Sequence, residues 1–172
     1  MPKVLIVAAT KAEIEPFLNS YKFDVRGNIG FFTSGSNPHV SVLITGVGMV
    51  NTAHFIGRYF LSAFDFTINV GICGAFNKSI KLGEVVNVVE DCLSEMGAED
   101  DNEFIKYDDL NLGGTNRFEY RLDDEVDLVD ELKKVNAITV NAVHGNDESI
   151  KRTVKLFNPD VESMEGAAFF RA

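Results

Sequence analysis

Three short stretches of this 172-residue chain carry residue types that could do chemistry. In the first, Thr10-Lys11-Ala12-Glu13 follows directly on the apolar run Val4-Leu5-Ile6-Val7-Ala8-Ala9. A carboxylate at the mouth of a buried strand can polarise water or steady a developing positive charge. The same spacing is a capping box, in which Glu13 bonds back to the backbone N–H of Thr10. Residue types alone leave the two roles level. In the second stretch, His144-Gly145-Asn146-Asp147 offers His144 and Asp147 as an acid/base pair, although polar residues beside a glycine more often serve a turn. In the third, Val161-Glu162-Ser163 enters Met164-Glu165-Gly166-Ala167-Ala168. Taken singly, Met164 is core filler and Glu165 a carboxylate favoured at a helix start.

Other patterns exclude functions. Gly46-Val47-Gly48-Met49-Val50-Asn51 begins like a dinucleotide fingerprint but has Asn51 in place of the third glycine, and no spaced acidic residue closes a following strand. The glycines let the chain turn sharply into a helix whose expected buried face is Val50, Ala53, Gly57, Phe60 and Leu61. Ser94 to Arg117 holds seven carboxylates without calcium-loop order and reads as a solvated surface excursion. Cys73 and Cys92 have no zinc or redox spacing, and Cys73 is expected to be a small space-filler with an unactivated thiol. No metal and no cofactor is expected.

These loops need strands to hold them. Phe66 to Ala75 is apolar on nearly every residue, as in a strand covered on both faces, and is placed centrally with Gly71 to Phe76 as a pocket floor beyond its carboxyl end. Further strands are expected at Phe23–Phe32, His39–Thr45, Val85–Val89 and Ala137–Val143, with a hairpin joining the first two. Helices are expected after Thr10, with Pro16 in or near the first turn, and as an amphipathic cover over Asp124–Val135. The result is an α/β fold built on an open sheet.

Sixteen Lys and Arg against 26 Asp and Glu give a net charge of −10, which repels phosphate backbones and acidic membrane surfaces. Nucleic acid and membrane are excluded as partners. Met1-Pro2-Lys3 leads into an apolar run too short for a signal peptide, and the cysteine usage suits a reduced compartment. The expected location is cytoplasmic. No repeat or linker interrupts residues 1–172, read as a single domain.

Together, the loop at Ala8–Glu13, the run Gly71-Ile72-Cys73-Gly74-Ala75-Phe76 and Glu162-Ser163-Met164-Glu165-Gly166-Ala167-Ala168-Phe169-Phe170 resemble the nucleoside phosphorylase/nucleosidase superfamily. Within it the likeness is greatest to the futalosine hydrolases. The resemblance implies a three-layer α/β/α domain with a central mixed, largely parallel twisted sheet, here ending before the last strand and helix. It implies hydrolysis of the N-glycosidic bond of a purine-type nucleoside, futalosine first, in menaquinone biosynthesis. Methylthioadenosine/S-adenosylhomocysteine hydrolysis, phosphorolysis and an inactive nucleoside-binding or assembly module are the alternatives. Glu13 matches the residue that handles the attacking water, and Met164 and Glu165 match the pair that packs on and hydrogen-bonds the ribose. Ala9, Val47, Gly71, Cys73, Gly74 and Ser163 complete the implied substrate contacts. Ile72 stands where the phosphorylases carry a small hydroxyl residue, which favours water over phosphate. The residue that would protonate the leaving base falls beyond Ala172, with Asp147 or Asp91 as substitutes. A homodimer or larger assembly is expected, because Phe169 and Phe170 should leave apolar surface exposed.

Overall fold

The computed structural model describes residues 2–59, 64–119, 129 and 131–172. It is a mixed α/β structure that divides into two compact units, one running to Ile72 and the other from Cys73 to Arg171.

The first unit is built on four strands in the order β2-β3-β1-β4, where β1 is Val4–Ala8, β2 Gly30–Thr33, β3 Val40–Ile44 and β4 Phe66–Asn69. β1 is parallel to β3 and to β4, while β2 and β3 form the expected antiparallel hairpin. Leu5, Val7, Val42, Leu43 and Ile44 are almost wholly buried. The side chains of Ala8, Val42 and Ile44 meet Ile14 and Leu18 of helix α1, Lys11–Ser20. That helix turns out of the ideal path at Ile14, where φ is −123° and ψ 15°. Pro16 falls in the second turn rather than the first, where its missing N–H and its ring break the regular ladder.

Three expectations fail in this unit. The run Phe66–Ala75 is not one central strand: β4 stops at Asn69, pairs only with β1 among the described residues, and leaves Ile68 exposed. The strand expected from Phe23 begins only at Gly30. Helix α2, Met49–Tyr59, buries Thr52 and Ile56, whereas Val50, Ala53 and Gly57 face outward. Thr52 decides the rotation, because its hydroxyl lies 3.4 Å from that of the fully buried Thr45. Phe60 and Leu61 lie outside the described residues.

The main sheet of the second unit is five-stranded, in the order β5-β11-β10-β6-β9: β5 is Gly74–Ala75, β6 Val86–Leu93, β9 Arg117–Glu119, β10 Lys133–Thr139 and β11 Val161–Ser163. β6, β10 and β11 run parallel, and β5 and β9 are antiparallel at the two sides. Val135, Ala137 and Val161 form one core cluster, and Cys92, Ile138 and Val140 another. Helix α3, Asp147–Phe157, starts at Asn146, whose Oδ1 accepts from the N–H groups of Glu148 and Ser149. Helix α4 is the short Gly166–Arg171.

The acidic excursion is more ordered than its charge suggests. β7, Gly97–Asp100, and β8, Glu103–Lys106, make a tight antiparallel hairpin followed by a 3-10 turn over Tyr107–Leu110. Cross-strand backbone pairing organises a segment whose carboxylates can all remain in water. Most of the cover helix expected over Asp124–Val135 lies outside the described residues, but Lys133–Val135 begins β10 instead. Ala137–Val143 likewise stops pairing at Thr139. Phe169 and Phe170 are half-buried, with ring centroids 5.9 Å apart, so they do not form the exposed patch expected of them.

Candidate functional site

In the first unit, parallel pairing sets Ala8 beside Ile44 and Val7 beside Asn69 at the carboxyl end of the sheet. The backbone continues the pattern: Thr45 N–H donates to Ala8 O, Gly46 N–H to Ala9 O, and Val70 N–H to Val7 O. Ala9, Val47 and Gly71 therefore leave the sheet from one edge, as expected when ligand loops follow parallel strands. Val47 is half exposed.

Glu13 stands at this edge with its two oxygens divided. Oε2 accepts from the Thr10 N–H at 2.7 Å and from the Thr10 hydroxyl at 2.9 Å. Oε1 faces Gly71, where a Cβ would come within 3.2 Å of it. The capping and chemical roles are therefore compatible, since one oxygen anchors the helix start and the other is turned to the glycine. Two hydrogen bonds to one oxygen also fix the plane of the carboxylate, a form of pre-organisation. Lys11, the basic group nearest Glu13 in sequence, is committed elsewhere: its Nζ donates to the Val25 carbonyl at 3.1 Å.

The second unit gathers Gly74, Ser163, Met164 and Glu165. Gly74 pairs with Glu162 across β5 and β11, and Ser163 is the last residue of β11. Beyond it the chain makes a tight turn. Ser163 Oγ accepts from the N–H groups of Glu165 at 3.4 Å and Gly166 at 3.2 Å, and Met164 N–H donates to Glu165 Oε2 at 3.2 Å. Glu165 and Met164 are half-buried. Cys73 is exposed and so does not fill space as expected, while partial desolvation raises its thiol pKa, the direction of an unactivated cysteine.

His144 does not pair with Asp147. Its Nδ1 lies 2.6 Å from Glu162 Oε2, its backbone N–H donates to Glu162 Oε1 at 2.9 Å, and its Nε2 lies 2.9 Å from Thr153 Oγ1. The ring of Phe76 packs edge-on against it. Asp147 instead opens α3 in water, where a carboxylate suits the helix start. The carboxylate–imidazole–hydroxyl order resembles a nucleophilic triad, yet Thr153 is 7% exposed and sits mid-helix. Its geometry is that of a clamp holding β11 to the segment after β10 beside Gly74.

Sequence reasoning gave Asp91 no definite place. The side chain is 1% exposed, its Oδ1 accepts from Thr139 Oγ1 at 2.9 Å, and its Oδ2 has no hydrogen-bond partner among the described residues. Burial raises its pKa to about 7, against the opposing pull of the Thr139 hydroxyl and the Cys92 amide, with Glu90 adding to the rise. So deep a group cannot touch a substrate and does not supply the leaving-group proton. The signal available was the Glu90-Asp91 pair within the otherwise apolar Val88–Cys92 stretch, where nothing in the sequence marks Asp91 as the buried member.

Among the described residues no group of three or more His, Cys, Asp or Glu side chains is placed to hold a metal ion. No described helix is long and apolar enough to cross a membrane.

No curated protein sequence matches the chain. Solved structures do. A mutant of the Helicobacter pylori 5′-methylthioadenosine/S-adenosylhomocysteine nucleosidase, with 5′-methylthioadenosine in its active site, is similar with a TM-score of 0.79 at 15% identity, over 99% of this chain and 78% of that one. A Helicobacter pylori futalosine hydrolase mutant gives 0.78 at 15% identity, over 99% and 82%. The Neisseria meningitidis 5′-methylthioadenosine/S-adenosylhomocysteine nucleosidase, in complex with methylthio-immucillin-A, gives 0.73 at 19%, over 99% and 79%. The family model described as the phosphorylase superfamily matches residues 3–172, and with strand-end loops of the kind described above over that whole length, the chain is a member of the phosphorylase superfamily.

Proposed function

We propose that this protein is a nucleosidase that hydrolyses the N-glycosidic bond of a purine-type nucleoside. Futalosine is the first-choice substrate and methylthioadenosine or S-adenosylhomocysteine the second. The observation that carries the reading is the divided carboxylate of Glu13, with Oε2 locked by Thr10 and Oε1 turned to the Gly71 backbone.

Loss of a base from ribose passes through an oxocarbenium-like state. Glu13 Oε1 takes a proton from water as the water oxygen bonds to C1′ of the sugar, and the C1′–N bond breaks with its electron pair going to the base. The departing base takes its proton from solvent water, and Glu13 afterwards returns to solvent the proton it accepted, so the net change is addition of one water across the C1′–N bond. Glu165 accepts from the ribose hydroxyls and Met164 packs on the sugar, so that C1′ is presented in one orientation. Ala9, Val47 and Gly71 of the first unit, and Cys73, Gly74 and Ser163 of the second, are proposed as substrate contacts within their own units. Engagement of Lys11 with the Val25 carbonyl supports hydrolysis, because a phosphate dianion would need that ammonium or an equivalent donor. The similarity to solved nucleosidases for methylthioadenosine and for futalosine is equally close, which is why both substrates are retained. We also expect a cytoplasmic protein that forms a homodimer or larger assembly.

The test is release of free base from futalosine, methylthioadenosine, S-adenosylhomocysteine and inosine, each with and without phosphate. Turnover of at least one, unchanged by phosphate and lowered by orders of magnitude in Glu13→Gln with the fold retained, is the expected outcome. Turnover that requires phosphate, or full activity in Glu13→Gln, would overturn the assignment.

A further inference from the structure

We propose that Asp91 is a positioning residue for Glu165, holding from the buried side the turn that carries the ribose-binding carboxylate. The proposal rests on the reading of Glu165 as the sugar-binding group.

The turn is held at both ends. From within, Ser163 Oγ accepts the N–H groups of Glu165 and Gly166. From beneath, Ala167 N–H donates to Thr139 Oγ1 at 2.8 Å, and Thr139 Oγ1 donates to Asp91 Oδ1 at 2.9 Å. A hydroxyl has one proton and two lone pairs. By taking that proton, Asp91 turns the Thr139 lone pairs toward Ala167. Thr139 is fully buried, so without Asp91 water cannot readily replace the lost acceptor.

The second oxygen acts by contact. Asp91 Oδ2 lies so close to Gly166 that a Cβ at residue 166 would overlap it, with Ser163 Oγ 3.2 Å from the same point. Asp91 is short, and at 1% exposure it has no room to swing aside. Glycine is thus required one residue after Glu165 because the carboxyl group fills the space a side chain would need. An unpartnered, desolvated carboxyl group is costly, and an apolar side chain would fill the same volume more cheaply. A group retained at that cost directly beneath a binding turn fits a positioning role better than a packing role.

The experiment compares Asp91→Ala and Asp91→Asn with wild type, using whichever nucleoside the enzyme cleaves and its 2′-deoxy analogue. Displacing Glu165 by about an ångström should raise KM for the ribonucleoside roughly 10²-fold in Asp91→Ala. The 2′-deoxy analogue, already lacking a hydroxyl for Glu165, should lose far less. Asp91→Asn, which keeps the Oδ1 acceptor and the volume, should restore most of the affinity. Asp91→Ala added to Glu165→Gln should cost nothing further, because the two act as one unit. Equal losses on both substrates, or a full multiplicative loss in the double variant, would overturn the proposal. Amide hydrogen exchange reads the same device without turnover. Gly166 and Ala167 should exchange at least tenfold faster in Asp91→Ala while the β6 and β10 amides stay protected, and unchanged exchange at those two residues would also overturn it. A wild type that cleaves none of the nucleosides would remove the nucleosidase reading alone, and the exchange result would still decide the role of Asp91.

Discussion

Replacing Asp91 by Asn should make stability less sensitive to pH, with a size that follows from burial of the carboxyl group. The pKa of Asp91 is about 7 in the folded protein against an ordinary 3.8. Because the folded value is raised, the folded state holds the proton between those limits while the unfolded state has released it. Stability from this group is fully present below the ordinary value and is lost as pH rises through about 7. Each unit of pKa difference corresponds to about 1.4 kcal/mol, so wild type should lose up to about 4 kcal/mol from pH 4 to pH 8, of which about 3 kcal/mol falls between pH 5 and pH 8. Asparagine has no such titration. Urea unfolding of wild type and Asp91→Asn at pH 5, 6, 7 and 8 should show the variant gaining on wild type by 1–3 kcal/mol across the series, since water entry trims the full value. Curves that stay parallel from pH 5 to pH 8 would refute the assignment of a buried, desolvated carboxyl group at this position.

The other contacts make separate predictions. Gly166→Ala should destabilise the protein by about 1–3 kcal/mol through overlap with Asp91 Oδ2, and Asp91→Ala in the same chain should recover part of that loss, as read by thermal unfolding. Glu162→Ala removes the acceptor that Glu162 offers to the His144 backbone N–H and its partner at Nδ1, and should cost about 1–3 kcal/mol by urea unfolding. Cys73 should react slowly with a thiol reagent at pH 7 despite its exposure, and Cys92, whose pKa burial pushes up to about 11, only on unfolding. Light scattering at micromolar concentration should return at least twice the 19.0 kDa chain mass.

Local signals in the sequence carried much of this structure. Thr10 and Glu13 announced the start of α1, and the runs at Val4–Ala9 and His39–Thr45 announced strands, because propensity, burial and capping agree there. Where the reading failed, a longer-range term decided. Phe66–Ala75 looked like one strand because its apolar character is continuous, yet β-pairing passes from β1 at Asn69 to β11 at Gly74. The face of α2 was misjudged because Thr52 is buried by pairing with Thr45, which hydrophobic periodicity does not register. The environment of Asp91 was obscured by the irregularity between β6 and β10, where Val135 pairs with Val88 but Asn136 with Glu90. Past that irregularity Asp91 and Cys92 pair regularly with Ala137 and Ile138, so they point to opposite faces of the sheet, and both are buried. The His144–Glu162–Thr153 clamp joins residues as far as 18 positions apart, and no short motif encodes it.

The most direct test of the nucleosidase assignment is to follow the sugar product of wild-type turnover in ¹⁸O-labelled water containing phosphate. Hydrolysis with Glu13 handling the water predicts a free sugar labelled at C1′, no sugar 1-phosphate, and loss of both label and base release in Glu13→Gln. Accumulation of an unlabelled sugar 1-phosphate, or undiminished labelling in Glu13→Gln, would contradict it.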